Sequence, residues 1–415
     1  MLRSYLTLAL RTLRRRLGYT AVNALGLTVG LACCALVAVF LEYELTYDAH
    51  HANADRIYRI VSQTDGRDPY SSIRFKNFGR STADEQRLLV EGLVEQIPAV
   101  EQAAAFVILD DPQFIETATG DRFESERQLV TTTGQAFADL FTFERVAGAP
   151  LARALQAPGS AVLTASAAQR SFGASSPIGE TLTVGTTSAT VRAVVADPPS
   201  NSRLAFDVAL RADRIPSWAA FHYLRLAEGA SPDAVAPQVT RLMNTLFPGR
   251  TDGRTWREAL QALPDIHFAE RALYDAGPHR NPAYLWIFGA IGGLILVITT
   301  INYANLALVL YASRNAEIGV RKAVGGHRGQ IAGQFLVESG LLAVLCVPLA
   351  LGSCAAALPL FNRLMDTGIP LASVLQPTVV GAMLALALCT GLAAGGYPAL
   401  VLARTRIVAL FDRGL

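Results

Sequence analysis

Side chains that could carry out catalysis are few in this sequence, and none stands in a pattern typical of an enzyme. The 415 residues include only two lysines, Lys76 and Lys322, and neither follows a glycine, so no phosphate-binding Gly-Lys-Ser/Thr loop can be written. No HExxH, GxSxG or paired CxxC sequence occurs either. We therefore expect a non-catalytic chain that holds no cofactor or metal of its own and binds no nucleic acid.

One pair of histidines could still form a metal site. His50 and His51 stand close in sequence to three acidic residues, Glu42, Glu44 and Asp48. The simpler interpretation, which we favour, is that these residues form a solvent-exposed polar segment where a helix ends. The thiols all fall in apolar stretches and are interpreted as small packing residues rather than redox groups or metal ligands. They are Cys33, Cys34, Cys346, Cys354 and Cys389.

Ser313–Arg328 is the most informative segment because it is short, basic and amphipathic. Glu317 and Arg321 lie four residues apart in the order that favours a short helix. Gly325-Gly326 would then end this helix. Two interpretations fit the charge pattern: an anchor that lies on anionic lipid, or a docking element for a cytoplasmic partner.

Four charge-free stretches must position this segment, and each is longer than the roughly 20 apolar residues that cross a bilayer. The composition agrees, with 51% hydrophobic residues, 17% charged residues and a mean hydropathy of +0.31. Soluble proteins carry about 25% charged residues, so a soluble enzyme, a disordered chain and a fibrous protein are excluded. The stretches are Leu17–Leu41, Asn281–Ser313, Ser339–Asn362 and Thr367–Ala403.

Charge segregation predicts the orientation of these spans. Leu45–Pro282 holds 28 acidic and 23 basic residues, whereas the termini and the segment between spans two and three are strongly basic. Lys and Arg are retained on the cytoplasmic side, so these three basic regions are expected inside and the large insert outside. The inner cations are Arg3, Arg11, Arg14, Arg15, Arg16, Arg314, Arg321, Lys322, Arg328, Arg404, Arg406 and Arg413, against Glu317 and Asp412.

These patterns predict an integral membrane protein with four transmembrane α-helices and a large α+β extracytoplasmic domain inserted between helices 1 and 2. Within the insert, strands are expected at Asp55–Val61, Arg127–Thr132, Ala161–Thr164, Thr181–Val184, Thr190–Val195 and His222–Ala227, with helices at Thr82–Ile97 and Pro232–Leu246. The expected boundaries are a cytoplasmic N-terminus 1–17, helix 18–44, outer domain 45–282, helix 283–311, cytoplasmic coupling segment 312–335, helix 336–361, external loop 362–373, helix 374–403 and cytoplasmic C-terminus 404–415.

The basic segment also carries a resemblance to a known family. The run Arg314-x-x-Glu317-Ile318-Gly319-Val320-Arg321-Lys322-Ala323-Val324-Gly325, followed by Gln334-Phe335-Leu336-Val337-Glu338-Ser339, resembles the signature of MacB/FtsX-type ABC transporter permeases. Further runs resemble landmarks of that family's MacB-like periplasmic core domain and of its return to the membrane. They are Glu44-Leu45-x-Tyr47-Asp48, Ala54–Arg59, Phe172-Gly173, Pro177–Gly179, Asp197-x-Pro199-x-Asn201-Ser202, Phe206-Asp207, Asp265-Ile266-His267 and Ile301-Asn302-Tyr303-x-Asn305-Leu306.

The resemblance implies a permease subunit in a bacterial inner (cell) membrane, in a half-size form without a fused ATPase. A separate cytoplasmic ABC ATPase would bind ATP and Mg²⁺ and move the outer domain, for export or mechanotransmission. The alternative is an FtsX-like signalling subunit that switches a cell-wall hydrolase or a sensor kinase. A homodimer or a heterodimer with a related permease is implied, with a periplasmic adaptor and an outer-membrane channel as possible further partners. The implied ATPase-coupling residues are Arg314, Glu317, Ile318, Gly319, Arg321 and Lys322.

Two polar residues of the second span are expected to pack inside the helix bundle. Asn302 and Asn305 lie three residues apart and share a helix face. Side-chain amides in hydrocarbon seek partners on neighbouring helices. A position close to the inner membrane interface is the alternative explanation.

The orientation can be tested by labelling cysteines introduced near Arg16, Ser125, Arg321, Met365 and Arg406. We expect only the sites near Ser125 and Met365 to react from outside in intact cells. Reaction of the Arg321 site from outside would contradict the predicted topology.

Overall fold

The computed structural model describes residues 17–65, 67–74, 82–109, 113–117, 120–125, 127–185, 187–213, 219–248, 255–312, 320 and 327–404. The chain divides into two units, which are described separately below. We call Thr46–Asn281 the sheet domain, and Met1–Leu45 together with Pro282–Leu415 the membrane unit.

The described helices are α1 Leu17–Leu45, α2 Thr82–Gln96, α3 Gly134–Leu140, α4 Leu151–Ala154, α5 Ala165–Phe172, α6 Pro232–Leu246, α7 Ala283–Ala312, α8 Arg328–Met365 and α9 Pro377–Arg404. Short 3-10 helices cover Ala54–Arg56, Leu263–Phe268 and Leu371–Leu375. The strands are β1 Ile57–Thr64, β2 Ile73–Arg74, β3 Val100–Leu109, β4 Gln113–Thr117, β5 Arg122–Ser125, β6 Gln128–Thr131, β7 Arg145–Gly148, β8 Ser160–Thr164, β9 Thr181–Val184, β10 Thr187–Val195, β11 Val208–Arg211, β12 Ala219–Leu226 and β13 Trp256–Ala262.

Four helices of the membrane unit, α1, α7, α8 and α9, are long and apolar enough to span a bilayer. A helix satisfies its own backbone hydrogen bonds, which hydrocarbon cannot do, so charge-free sequence of this length folds this way. With the sheet domain inserted after the first of them, this confirms the predicted fold class. The candidate spans are Thr20–Leu45, Ala283–Val309, Ala332–Met365 and Pro377–Gly396.

Small residues spaced four apart allow the membrane helices to approach closely. On α1, a Cβ added at Gly30 would overlap Thr299 on α7, and one at Gly26 would stand 3.2 Å from Asn302 Nδ2. On α9, a Cβ at Gly391 would stand 2.9 Å from Gly340 Cα on α8. Lipid tails are as apolar as the side chains, so close van der Waals contact of this kind holds such helices together.

The strands of the sheet domain form a single mixed sheet in the order β13-β1-β12-β3-β6-β11-β8-β10-β9-β4-β5. Strands β2 and β7 pair at its sides, with β12 and β10 respectively. Most pairs are antiparallel, and β8 with β10 and β6 with β11 are parallel. Strands and helices do not alternate strictly along the chain, in agreement with the expected α+β domain.

Helices cover both faces of the sheet, and the apolar core lies beneath them. Leu89 of α2 and Val239 of α6 belong to the cluster on one face. Phe106 of β3 and Phe137 of α3 belong to the cluster on the other, with ring centroids 5.4 Å apart. Helix α6 begins with Pro232 at its first position, where the missing N–H costs nothing.

Several strands were not predicted, for reasons that the burial pattern explains. Strand β3 buries Ala103–Val107 continuously because helices pack on both of its faces, so its sequence lacks the alternation of a half-exposed strand. Strand β13 reads Trp-Arg-Glu-Ala-Leu-Gln-Ala, a composition typical of a helix, yet it pairs along its whole length with β1. Tertiary pairing overrides local propensity here.

The structure also refines the choice of an external labelling site. Ser125 is fully buried at the end of β5, whereas Glu124 beside it is exposed. A cysteine introduced at Glu124 is therefore the accessible probe of this region.

Replacement of Gly391 by leucine should destabilise the membrane unit. The added side chain would force α8 and α9 apart, because Gly340 Cα and Ser339 O stand 2.9 and 3.0 Å from the Cβ position. Overpacking of this kind costs about 1–3 kcal/mol. The measurement is thermal unfolding of the detergent-solubilised full chain. Gly381→Leu on the same helix is the control, since nothing lies within 4 Å of its Cβ position; equal unfolding midpoints for the two variants would contradict the packing argument.

Candidate functional site

The residues expected to couple the chain to an ATPase lie outside the described residues. Helix α8 begins at Arg328, shortly after them in sequence. Their docking role stays a prediction. They are Arg314, Glu317, Ile318, Gly319, Arg321 and Lys322.

The two asparagines expected to pack in the membrane both lie on α7 and are exposed in the single chain. The Asn302 amide lies beside α1, 3.2 Å from the position of a Cβ on Gly26. Asn305 lies nearly one turn further along the helix. Their packing role likewise stays a prediction.

Segments that are far apart in sequence meet at one place in the sheet domain. Thr46–Asp48, the entry segment, directly follows α1, and Leu263–Asn281, the exit segment, directly precedes α7. The loop Asn201–Arg203, between β10 and β11, contacts both segments. We call the buried side chains at this junction the stem cluster: Tyr47, Asp48, Arg59, Arg203, Asp275 and His279.

The entry segment is bound to this loop through backbone and side chain. The Asp48 amide donates to Asn201 O at 2.9 Å, and Asp48 Oδ1 accepts from Arg203 N at 2.7 Å and Ser202 Oγ at 3.1 Å. Asn201 Nδ2 donates to Thr46 O at 3.1 Å. Asp48 has a φ of 57°, a left-handed conformation that these bonds hold in place. Burial raises the pKa of the Asp48 carboxyl, and the donors from Arg203 and Ser202 oppose that rise.

Arg203, whose backbone amide binds the entry segment, binds the exit segment through its side chain. Its guanidinium donates through Nη1 to Ala276 O and through Nη2 to Pro278 O, the latter at 3.3 Å. Nη1 also lies 3.5 Å from Asp275 Oδ1. The Arg203 side chain is buried, so its charge needs these oxygen atoms. One residue therefore joins the entry segment to the exit segment.

Asp275 is the common anion of the cluster. Its carboxylate accepts from Arg59 Nη1 at 2.5 Å, and its Oδ2 lies 2.8 Å from His279 Nε2. Burial acts to raise the pKa of Asp275, but the hydrogen bond from His279 and the charges of Arg59 and Arg203 lower it to about 2. Arg59 Nη2 also donates to Gln261 Oε1 at 2.7 Å, which fixes the cluster to β1 and β13.

An aromatic contact closes the same junction. The Tyr47 ring stacks on the His267 ring with centroids 3.9 Å apart and planes at 4°. His267 O in turn accepts from the Arg280 amide at 2.8 Å. Asp265-Ile266-His267, one of the runs that resemble family landmarks, lies in the 3-10 helix Leu263–Phe268.

His50 and His51 lie beside the entry segment, and His51 is buried. Its Nδ1 accepts from the Thr142 amide at 3.2 Å. Burial, and secondly the neighbouring His50, lower the pKa of His51 to about 3, so its imidazole is neutral near pH 7. Among the described residues, no three His, Cys, Asp or Glu side chains are grouped to hold a metal ion.

The stem cluster holds segments together rather than positioning a reacting atom. Its charged groups pair with one another and with backbone oxygen atoms of the exit segment, and Arg59, Arg203 and Asp275 are almost wholly buried. Buried ions arranged in this way fix one geometry, since any rearrangement would leave a charge without a partner. The role of the cluster is therefore structural: it holds the entry segment, the exit segment and the sheet in one arrangement.

Parts of this junction could be identified from the sequence, but the contacts between them could not. Tyr47-Asp48, Asn201-Ser202 and His267 each stood in a family landmark. Asp275 had no local signal that connected it to its two arginines, because these come from β1 and from a loop more than 70 residues away. Its local partner is His279, four residues further on. Arg59 also stood in a family landmark, Ala54–Arg59, and is a charged residue within the apolar run of β1.

A second buried polar group lies in the membrane unit. Gln334, Glu338 and Ser339 on α8 are each at most 5% exposed. Tyr303 on α7 donates its hydroxyl to Ser339 O at 3.2 Å. Ionisable residues inside membrane bundles typically face the interior and mark functional positions.

Family models match two parts of the chain. The MacB-like periplasmic core domain matches residues 20–242, and the FtsX-like permease C-terminal domain matches residues 289–407. The first match covers more than half of the 415 residues.

Individual proteins are similar over shorter stretches. The ABC transporter permease YknZ of Bacillus subtilis (strain 168) is 36% identical over 112 residues, which are 25% of this chain and 28% of that protein. The macrolide export ATP-binding/permease protein MacB of Salmonella paratyphi A is 30% identical over 177 residues, 40% of this chain and 25% of that protein. The chain thus spans about a quarter of the curated relatives it matches. The periplasmic region of MacB from Actinobacillus actinomycetemcomitans superposes with a TM-score of 0.36 at 13% identity, covering 51% of this chain and 91% of that structure.

Replacement of Asp275 by asparagine should destabilise the sheet domain in a pH-dependent way. The neutral amide leaves Arg59 and Arg203 buried without their anion, which costs about 3–5 kcal/mol near neutral pH. Because the folded pKa of Asp275 is about 2 and its ordinary value is 3.8, its contribution is complete above pH 4 and is lost as the pH falls through 2. The difference in unfolding midpoint between wild type and variant should therefore narrow between pH 4 and pH 2.

The measurement is thermal unfolding of the purified full chain, followed by circular dichroism over this pH range. Glu101→Gln is the control: it removes exposed pairs with Arg56 and Arg225 in the same domain and should change the midpoint little. If the difference in unfolding midpoint between wild type and Asp275→Asn does not change with pH, the charge of the carboxylate is not what stabilises the junction.

Proposed function

The chain belongs to the MacB/FtsX-type family of ABC transporter permeases, and on that premise we propose that it couples ATP hydrolysis by a separate cytoplasmic ATPase to movement of its extracytoplasmic domain. As a permease of this family it is a non-catalytic, multi-pass subunit of the inner membrane. The observation that supports the coupling is the stem cluster, which binds the beginning of the sheet domain to its end.

We further propose the orientation and the partners of the subunit. The termini and the basic segment 312–335 face the cytoplasm, as the positive-inside rule favours. The ATPase binds ATP and Mg²⁺ and docks on that segment, and the permease acts as a homodimer or as a heterodimer with a related permease. A periplasmic adaptor and an outer-membrane channel would complete an export machine.

Export is favoured over signalling as the outcome of the movement. Several of the curated relatives are named as macrolide export proteins. The sheet domain adds no catalytic arrangement among its described residues, so in either role its output is a change of position that another protein detects.

Ile318→Asp should abolish association with the partner ATPase. An apolar residue among charges supplies much of the affinity of a docking surface, and an aspartate there would place an unpaired charge in the contact. Arg321→Glu should weaken association in a salt-dependent way, because rim charges set orientation and association rate. The measurement is co-purification of the ATPase with wild-type and variant chains at matched expression.

Val146→Asp is a suitable control, since Val146 is an exposed apolar residue of β7 in the sheet domain. It makes the same chemical change at a site where no ATPase contact is proposed. Retention of the ATPase and of its stimulated turnover by Ile318→Asp would leave the segment as an anionic-lipid anchor.

A further inference from the structure

We infer that Arg203 and Asp275 are positioning residues that make the entry segment, the exit segment and the sheet move as one body. The inference rests on the proposed function and names the part of the chain that transmits the movement. It requires that force arriving through either connection to the membrane unit reaches the whole sheet domain.

The sheet domain is continuous with the membrane unit at two places, after Leu45 and before Pro282. The entry segment contributes no strand to the sheet, and the exit segment contains a short 3-10 helix and a single backbone bridge, between Leu273 and Tyr70. Backbone of this kind yields easily under load unless side chains fix it.

Arg203 cross-links the two segments. Arg203 holds Asp48 of the entry segment through its backbone amide at 2.7 Å. Through its guanidinium it holds Ala276 and Pro278 of the exit segment. A displacement of one segment therefore pulls directly on the other.

Two further contacts connect the cross-linked segments to the sheet. Asp275 of the exit segment binds Arg59 in β1, and Arg59 binds Gln261 in β13. These two strands pair in register over seven residue pairs, from Tyr58 with Ala262 to Thr64 with Trp256. The cluster is thus attached to β1 and β13, the two paired strands at one edge of the sheet.

Burial makes this linkage stiff. The side chains of Arg59, Arg203 and Asp275 are 1%, 2% and 0% exposed. Solvent cannot replace a broken contact there, whereas exposed pairs such as Arg56 with Glu101 exchange partners with water. A rigid linkage is what the transmission of a movement requires.

The experiment uses the full chain with its ATPase in lipid nanodiscs. A spin label at Glu124, on the exposed side of β5, reports the distance between the sheet domains of the two permease subunits in the nucleotide-free and the ATP–vanadate states. The five native cysteines are replaced beforehand. In the wild type we expect a nucleotide-dependent shift in this distance. In Asp275→Asn we expect ATP hydrolysis and ATPase association to persist while the shift is lost.

Ser62→Ala is the matched control. It removes another buried hydrogen bond of β1, from Ser62 Oγ to Glu258 Oε2 at 2.7 Å, outside the stem cluster. This variant should keep the shift. If both variants lose it in proportion to their loss of thermal stability, the cluster is only structural and the inference is overturned.

Arg203→Lys decides the question should Asp275→Asn fail to fold. It keeps a cation beside Asp275 but lacks the two-nitrogen guanidinium that bonds Ala276 and Pro278 of the exit segment. A reduced shift supports the inference, and an unchanged shift overturns it. Absence of ATPase association or of any shift in the wild type would instead contradict the proposed function, so the two failures are distinguishable.

Discussion

The sheet domain depends on the burial of one carboxylate between two guanidinium groups. Asp275 lies in the exit segment, whereas Arg59 and Arg203 come from β1 and from the loop before β11. Each of the three groups would be costly to bury alone, so each requires the others at their observed positions. This mutual requirement fixes an exit segment that has almost no regular secondary structure.

The membrane unit is held together by the opposite means. Its membrane-spanning helices contain almost no charged residues, and the hydrophobic effect does not drive helices to associate within lipid. Close approach replaces it: Gly30 lies against Thr299, and Gly391 lies against Gly340. Polar contacts such as Tyr303 Oη to Ser339 O then add direction to contacts that are otherwise non-specific.

The sequence was most informative where a pattern is local. Charge-free runs predicted the four spans, and apolar spacing predicted α6, whose Val235, Val239 and Leu242 are buried. Strand β3 escaped prediction because burial on both faces removes alternation. The stem cluster escaped as a unit because Asp275 meets its arginines only through tertiary contacts, and no spacing rule connects positions 59, 203 and 275.

The tie between the entry and exit segments also bears on how such a protein can evolve. A domain that holds its own two ends together can be inserted between two neighbouring helices without forcing them apart. It can be enlarged, trimmed at surface loops or exchanged for another self-closed domain while the neighbouring spans keep their sequence. Because the stem cluster holds the two ends of the sheet domain together, the sequence of that domain can diversify while the membrane-spanning helices keep theirs.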